Sequence, residues 1–155
     1  MTSFLLNLVS SMALLVMPSA MQDAPEVKVL VLDALDGKPQ ANVQIEPLCA
    51  GPPRNFQEKQ TLTNDKGIAT IPYLCGDKQA IEIEVFPPNK KEQCGSDAMA
   101  TLNDIMTTGF LSDPGSEAIG GMWCPAKVSK TLKPIPGQVI VFVKKPTWWQ
   151  VHAAG

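Results

Sequence analysis

The sequence predicts an all-β sandwich of about seven strands with one helix-containing insert. Three observations carry this. Fourteen prolines and eleven glycines in 155 residues favour many short strands over long helices. Apolar and polar residues alternate over Val43-Gln44-Ile45-Glu46 and again over Ile81-Glu82-Ile83-Glu84-Val85. One stretch alone, between Ser96 and Gly121, has apolar residues at a helical period. Apolar residues are 45% and charged residues 18% of the chain, so a core can be buried. The length suits a single domain.

The chain opens with an apolar run from Phe4 to Met17, too short for a membrane-spanning helix and the right size for the core of an export signal. Ser19-Ala20 offers a small-residue cleavage point, which makes residues 1–20 a signal peptide and residues 21–155 the mature domain. The run lacks a basic start and has Pro18 near the cut, so an uncleaved anchor is the alternative. No cysteine sits near the cut, which argues against a lipid-modified N-terminus.

Val27 to Asp33 alternates and then turns apolar on both faces, the pattern of a central strand. Asp36-Gly37-Lys38-Pro39 is turn chemistry. Val43 to Glu46 is the second strand, and Pro47 ends it. Cys49 to Asn55 is a loop, and Gln57 to Thr63 a polar edge strand. Asn64-Asp65-Lys66-Gly67 reads as a hairpin turn with Gly67 at positive φ, leading into Ile68 to Ile71. Ala80 to Phe86 alternates until Pro87-Pro88. The insert occupies about 95–125. In it Met99, Leu102, Ile105 or Met106, and Phe110 predict a helix over 98–108, with Ser96 or Asp97 as N-cap and Gly109 at its end. Gly115 to Gly121 is a loop. Strand pattern resumes at Ala126 to Leu132, and Gln138 to Val143 is the last strand.

Cys49, Cys75, Cys94 and Cys124 are even in number and form no C-x-x-C pair, so two disulfides are expected rather than a zinc or thioredoxin-like site. Alternating strand direction puts Cys49 and Cys75 at one end of the sandwich and Cys94 and Cys124 at the other. The expected pairs are therefore Cys49–Cys75 and Cys94–Cys124.

A net charge of -2 argues against a nucleic-acid partner. The single histidine, His152, excludes multi-histidine metal sites and disfavours a histidine-dependent triad. The insert carries Asp97, Asp104, Asp113 and Glu117, whereas the segment after Ala126 carries Lys127, Lys130, Lys133, Lys144 and Lys145 and no acid. Solvated faces account for both. Asn64, Asp65 and Gly67 offer about three oxygens to a calcium ion that needs six to eight, and a plain turn explains them. Glu82 and Glu84 face the same way about 7 Å apart, as on the solvated face of a sheet. Ser96, Ser112, Ser116 and Ser129 form no nucleophile elbow. Trp123, Trp148, Trp149 and Tyr73 are the candidate ligand-binding residues, since exposed aromatics stack on sugars or anchor a protein partner. Packing is the competing role for each.

Asp36-Gly37-Lys38-Pro39 followed by Ala41-Asn42-Val43-Gln44-Ile45 resembles the opening of the carboxypeptidase regulatory-like domain, a prealbumin-like (transthyretin-type) seven-stranded sandwich. That family's T-x-T-D-x-x-G turn is similar to Thr61-Leu62-Thr63-Asn64-Asp65-Lys66-Gly67, where Asn64 intervenes before Asp65. Lys78 to Val85 is similar to its next strand. The resemblance spans Val27 to Phe86, returns at Val139 to Val143, and gives the insert no counterpart. Pro136 to Val143 followed by Trp148-Trp149 is similar to the ends of some small exported bacterial proteins with such domains. Other immunoglobulin-like modules carry the same motifs. The resemblance implies a structural or binding unit rather than a peptidase. The hydrolase relative of the fold depends on several histidines, which this chain lacks.

Two functions follow. The first is a non-enzymatic exported module with a binding or structural role in the cell envelope. It would have no cofactor or metal, an envelope protein or carbohydrate as partner, and no membrane span after signal cleavage. The second is a secreted carbohydrate-binding module or an enzyme with an unrecognised site.

Overall fold

The structure is a computed structural model that describes residues 24–51, 55–56, 60–76, 78–86, 88, 94–95, 98–112 and 128–144. In chain order its strands are β1 (Glu26–Asp33), β2 (Gln44–Cys49), β3 (Asn55–Phe56), β4 (Thr61–Leu62) and β5 (Ile68–Pro72). Then come β6 (Ile81–Phe86), β7 (Cys94–Gly95) and β8 (Ala98–Ala100). One short helix, α1 (Leu102–Thr107), precedes β9 (Phe110–Leu111) and β10 (Gln138–Lys144). The first sheet runs β5-β1-β10-β7, with β9 also on β10; the second runs β3-β2-β6-β8, with β4 also on β2.

The two sheets pack face to face because the strands alternate as the sequence does. Val27, Val29 and Val31 of β1, Ala69 and Ile71 of β5, and Val139, Val141 and Val143 of β10 face inward. They meet Ile45 of β2 and Ile81, Ile83 and Val85 of β6. Burying each such aliphatic side chain contributes roughly 1.5–3 kcal/mol before the entropy of ordering is subtracted. The central place expected for β1 is observed: β5 pairs with it antiparallel and β10 pairs with it parallel, Lys28 opposite Gln138 through Asp33 opposite Val143. The apolar run of β10 is explained by burial on both faces. Its outward Ile140 and Phe142 join Leu32 and Ala34 in a second cluster covered by Leu30, Leu111, Val128 and Leu132.

Several expectations are corrected. The all-β sandwich is observed, but among the described residues it has two five-stranded sheets rather than about seven strands in all. The segment read as an insert is built into both sheets: β7 and β9 pair with β10, and β8 pairs with β6. The helix begins later than its periodicity suggested. Its N-cap is Thr101, whose hydroxyl accepts from the Asp104 N–H at 3.2 Å, while Ala98 to Ala100 is strand. A strand over 126–132 is not observed where the chain is described; Val128–Lys130 is a 3-10 turn. Of the edge strand expected over 57–63, Thr61–Leu62 is β4 on β2, and residues 57–59 lie outside the described residues; β3 on β2 lies before that range. Residues 1–20 and 115–121 lie outside the described residues.

The turns are built as their residues dictate. Asp33 Oδ1 accepts from the Leu35 N–H at 2.7 Å, and Gly37 closes the turn by donating to the Asp33 carbonyl at 2.9 Å. The Lys38 ammonium lies 2.6 Å from Asp36, lowers that carboxyl's pKa and has its own raised. Both groups are in solvent, so the pair adds little stability. Asn64–Gly67 forms the expected turn, with Gly67 at φ +71°. Its two arms, however, separate into opposite sheets, since β4 belongs to the second and β5 to the first.

Thr63 fastens that crossing. It is buried, accepts from the Val43 N–H at 3.0 Å and donates to the Gln40 carbonyl at 2.7 Å. Thr63→Val keeps the shape and removes both bonds, so chemical denaturation should show a loss of about 2 kcal/mol, the cost of stranding buried partners. Thr63→Ser should lose clearly less. Equal losses would show that the hydroxyl carries nothing.

Candidate functional site

Tyr73 follows β5 and is the one candidate aromatic within the described residues. It is a core residue, 4% exposed, and so a correction to its expected role as a binding platform. Its hydroxyl donates to the Gln79 carbonyl and accepts from the Leu102 N–H at 3.3 Å. Tyr73 thereby ties the β5–β6 loop to the first turn of α1. Trp123, Trp148 and Trp149 lie outside the described residues.

The same end of the sandwich holds the expected Cys49–Cys75 disulfide, with Cα atoms 5.4 Å apart. The Ala50 N–H donates to the Ala80 carbonyl at 2.9 Å, and the Gln79 amide donates to the Ala50 carbonyl at 2.9 Å. These contacts knit the end of β2 to the β5–β6 loop beside the bridge. Cys94 lies in β7, and its expected partner Cys124 lies outside the described residues.

The other candidates resolve into structure. Asn64 Oδ1 accepts from the Lys66 N–H at 2.9 Å and the Ile68 N–H at 3.1 Å. That oxygen serves the turn, as the plain-turn reading of Asn64, Asp65 and Gly67 requires. Glu82 and Glu84 lie half-exposed on the outer face of the second sheet, opposite Leu48 and Glu46. Glu46 accepts from the Gln44 and Gln60 side-chain amides. This is a solvated sheet face, as expected.

One feature was not legible in the sequence. A cavity of about 320 Å³ is lined by Leu111, Ser112, Ser129 and Lys130, beside the apolar cluster on the outer face of the first sheet. It exists because β9 joins β10 as a parallel partner and the Ser112 N–H continues that pairing onto the Ile140 carbonyl at 2.9 Å. The 3-10 turn then returns alongside. Sixteen residues lie between the two serines, and no motif links them. Its described lining combines one leucine with two serines and an exposed lysine.

No family model, no curated protein and no solved structure matches this chain.

Proposed function

We propose that the protein is a non-enzymatic exported β-sandwich module with a binding or structural role in the cell envelope, related to the carboxypeptidase regulatory-like domains. The observation that carries this reading is the Cys49–Cys75 disulfide, because such bridges persist in oxidising compartments outside the cytosol. The apolar run at Phe4 to Met17 supports the same compartment. The order of β1, the Asp36–Pro39 turn, β2 and the Asn64–Gly67 turn before β5 supports the family assignment. Among the described residues no helix is long and apolar enough to cross a membrane. The partner is an envelope protein or carbohydrate.

Expression of the full chain in a bacterium with a periplasm tests this. A mature species beginning at Met21 and containing the Cys49–Cys75 bridge is expected in the periplasmic fraction. Full-length, fully reduced chain found only in the cytosol would sink the proposal. Titration of the exported protein with envelope polysaccharides, read by tryptophan fluorescence, then separates a carbohydrate binder from a structural module.

A further inference from the structure

We infer that Met99 and Met106 are sites of reversible oxidation, at which the folded chain consumes peroxide without loss of structure. Methionine is among the residues most often fully buried, because its flexible thioether fills gaps in a core. Both methionines among the described residues break that habit: Met99 is 55% exposed and Met106 46% exposed. Neither belongs to either core cluster. Burial is thus not what these side chains contribute. Each instead presents a soft, oxidisable sulfur within reach of solvent.

The local structure makes oxidation silent. Ala98 and Ala100 turn into the core and Met99 points the other way, since side chains alternate across a strand. Backbone pairing ties β8 to β6, with Ile81 opposite Ala100 and Ile83 opposite Ala98, and a change on the Met99 side chain does not touch it. On α1 the anchoring residue is Ile105, which is fully buried and whose carbonyl accepts from the Gly137 N–H at 2.8 Å. Met106 is the next residue, turned about 100° round the helix and into solvent. In the reaction the sulfur lone pair attacks one oxygen of a peroxide and the O–O bond breaks. That oxygen stays on sulfur as the sulfoxide, and its proton passes to the departing oxygen, which leaves as water or an alcohol. The sulfur loses two electrons and the peroxide gains them. A sulfoxide is polar, but at a half-exposed position it stays hydrated, so the disruption that follows oxidation inside a core does not arise. A sulfoxide reductase drawing electrons from thiols returns the thioether and releases water.

Hydrogen peroxide titrated into the full, folded chain is the test, followed by peptide mapping by mass and urea unfolding of the product. The peptides that carry Met99 and Met106 should each gain one oxygen, within about threefold of the rate of free methionine. The urea midpoint should stay where it was. Sulfoxide reductases specific for the two epimers should together reverse the gain without denaturant. Slower oxidation than that, a lower midpoint afterwards, or sulfoxides that only denatured chain gives up would each overturn the inference. The double variant Met99→Leu with Met106→Leu conserves volume at exposed positions and should unfold at the parent's midpoint. It should consume one equivalent of peroxide fewer for each methionine replaced. Consumption equal to the parent's would show that these sulfurs are not where peroxide goes.

Discussion

Gly109→Ala is expected to cost about 4 kcal/mol of folding stability, at the upper end for one substitution. Gly109 follows α1 at φ +77°, where an L side chain costs roughly 1–2 kcal/mol. The rest comes from its surroundings. A Cβ there would stand 2.1 Å from the Ile135 carbonyl oxygen and 2.4 Å from its carbon. These are backbone atoms and cannot swing aside. The segment is also pinned next door, since the Gly137 N–H donates to the Ile105 carbonyl at 2.8 Å, and Ile105 is fully buried. Relief would require lifting the chain that leads into β10, the strand that pairs with β1. Gly137→Ala is the control. Its φ is +78° with nothing within 4 Å of the added carbon, so only the backbone penalty of about 1 kcal/mol applies. Urea midpoints of the two variants decide the matter. Equal losses would show that the contact with Ile135 contributes nothing.

The long strands were legible because one buried face imposes a two-residue period. Val27, Val29 and Val31 and Ile81, Ile83 and Val85 follow it without exception. The short strands were not legible, because two or three residues are too few for a period to show. Ala98 and Ala100 do alternate with exposed Met99, yet alanine is small and equally at home in a helix. The helical spacing of Met99, Leu102, Ile105 or Met106, and Phe110 holds only within α1, since Met99 lies in β8 and Phe110 in β9. Met99 and Met106 are half in solvent, and of the apolar residues on α1 only Ile105 is fully buried. The parallel placement of β10 beside β1 is a long-range choice that no local pattern encodes. The cavity at Ser112 and Ser129 was hidden for the same reason. Tyr73 was misjudged because an aromatic residue is equally suited to core and surface. The hydroxyl partners that settle it, Gln79 and Leu102, come from a loop and from a helix well down the chain.

Removing the Cys49–Cys75 bridge should cost about 3.5 kcal/mol, the loop-closure entropy of a 26-residue separation. The mechanism acts on the unfolded chain, which regains the freedom that the crosslink withholds. The native end of the sandwich has other ties: the Ala50–Ala80 and Gln79–Ala50 hydrogen bonds and the Tyr73 hydroxyl do not depend on sulfur. The double variant Cys49→Ala with Cys75→Ala should therefore fold, with a urea midpoint well below that of the oxidised parent. The double variant is the cleaner choice, because replacing Cys49 alone would leave the half-exposed Cys75 as a reactive thiol. A loss under about 1 kcal/mol would mean that the unfolded chain already holds these residues close. Peptide mapping without reductant checks the connectivity itself. A Cys49–Cys75 peptide is expected, along with the proposed Cys94–Cys124 peptide. A Cys49–Cys94 peptide would contradict the strand order, because Cys49 ends β2 opposite Ile81 while Cys94 pairs with Lys144 at the end of β10.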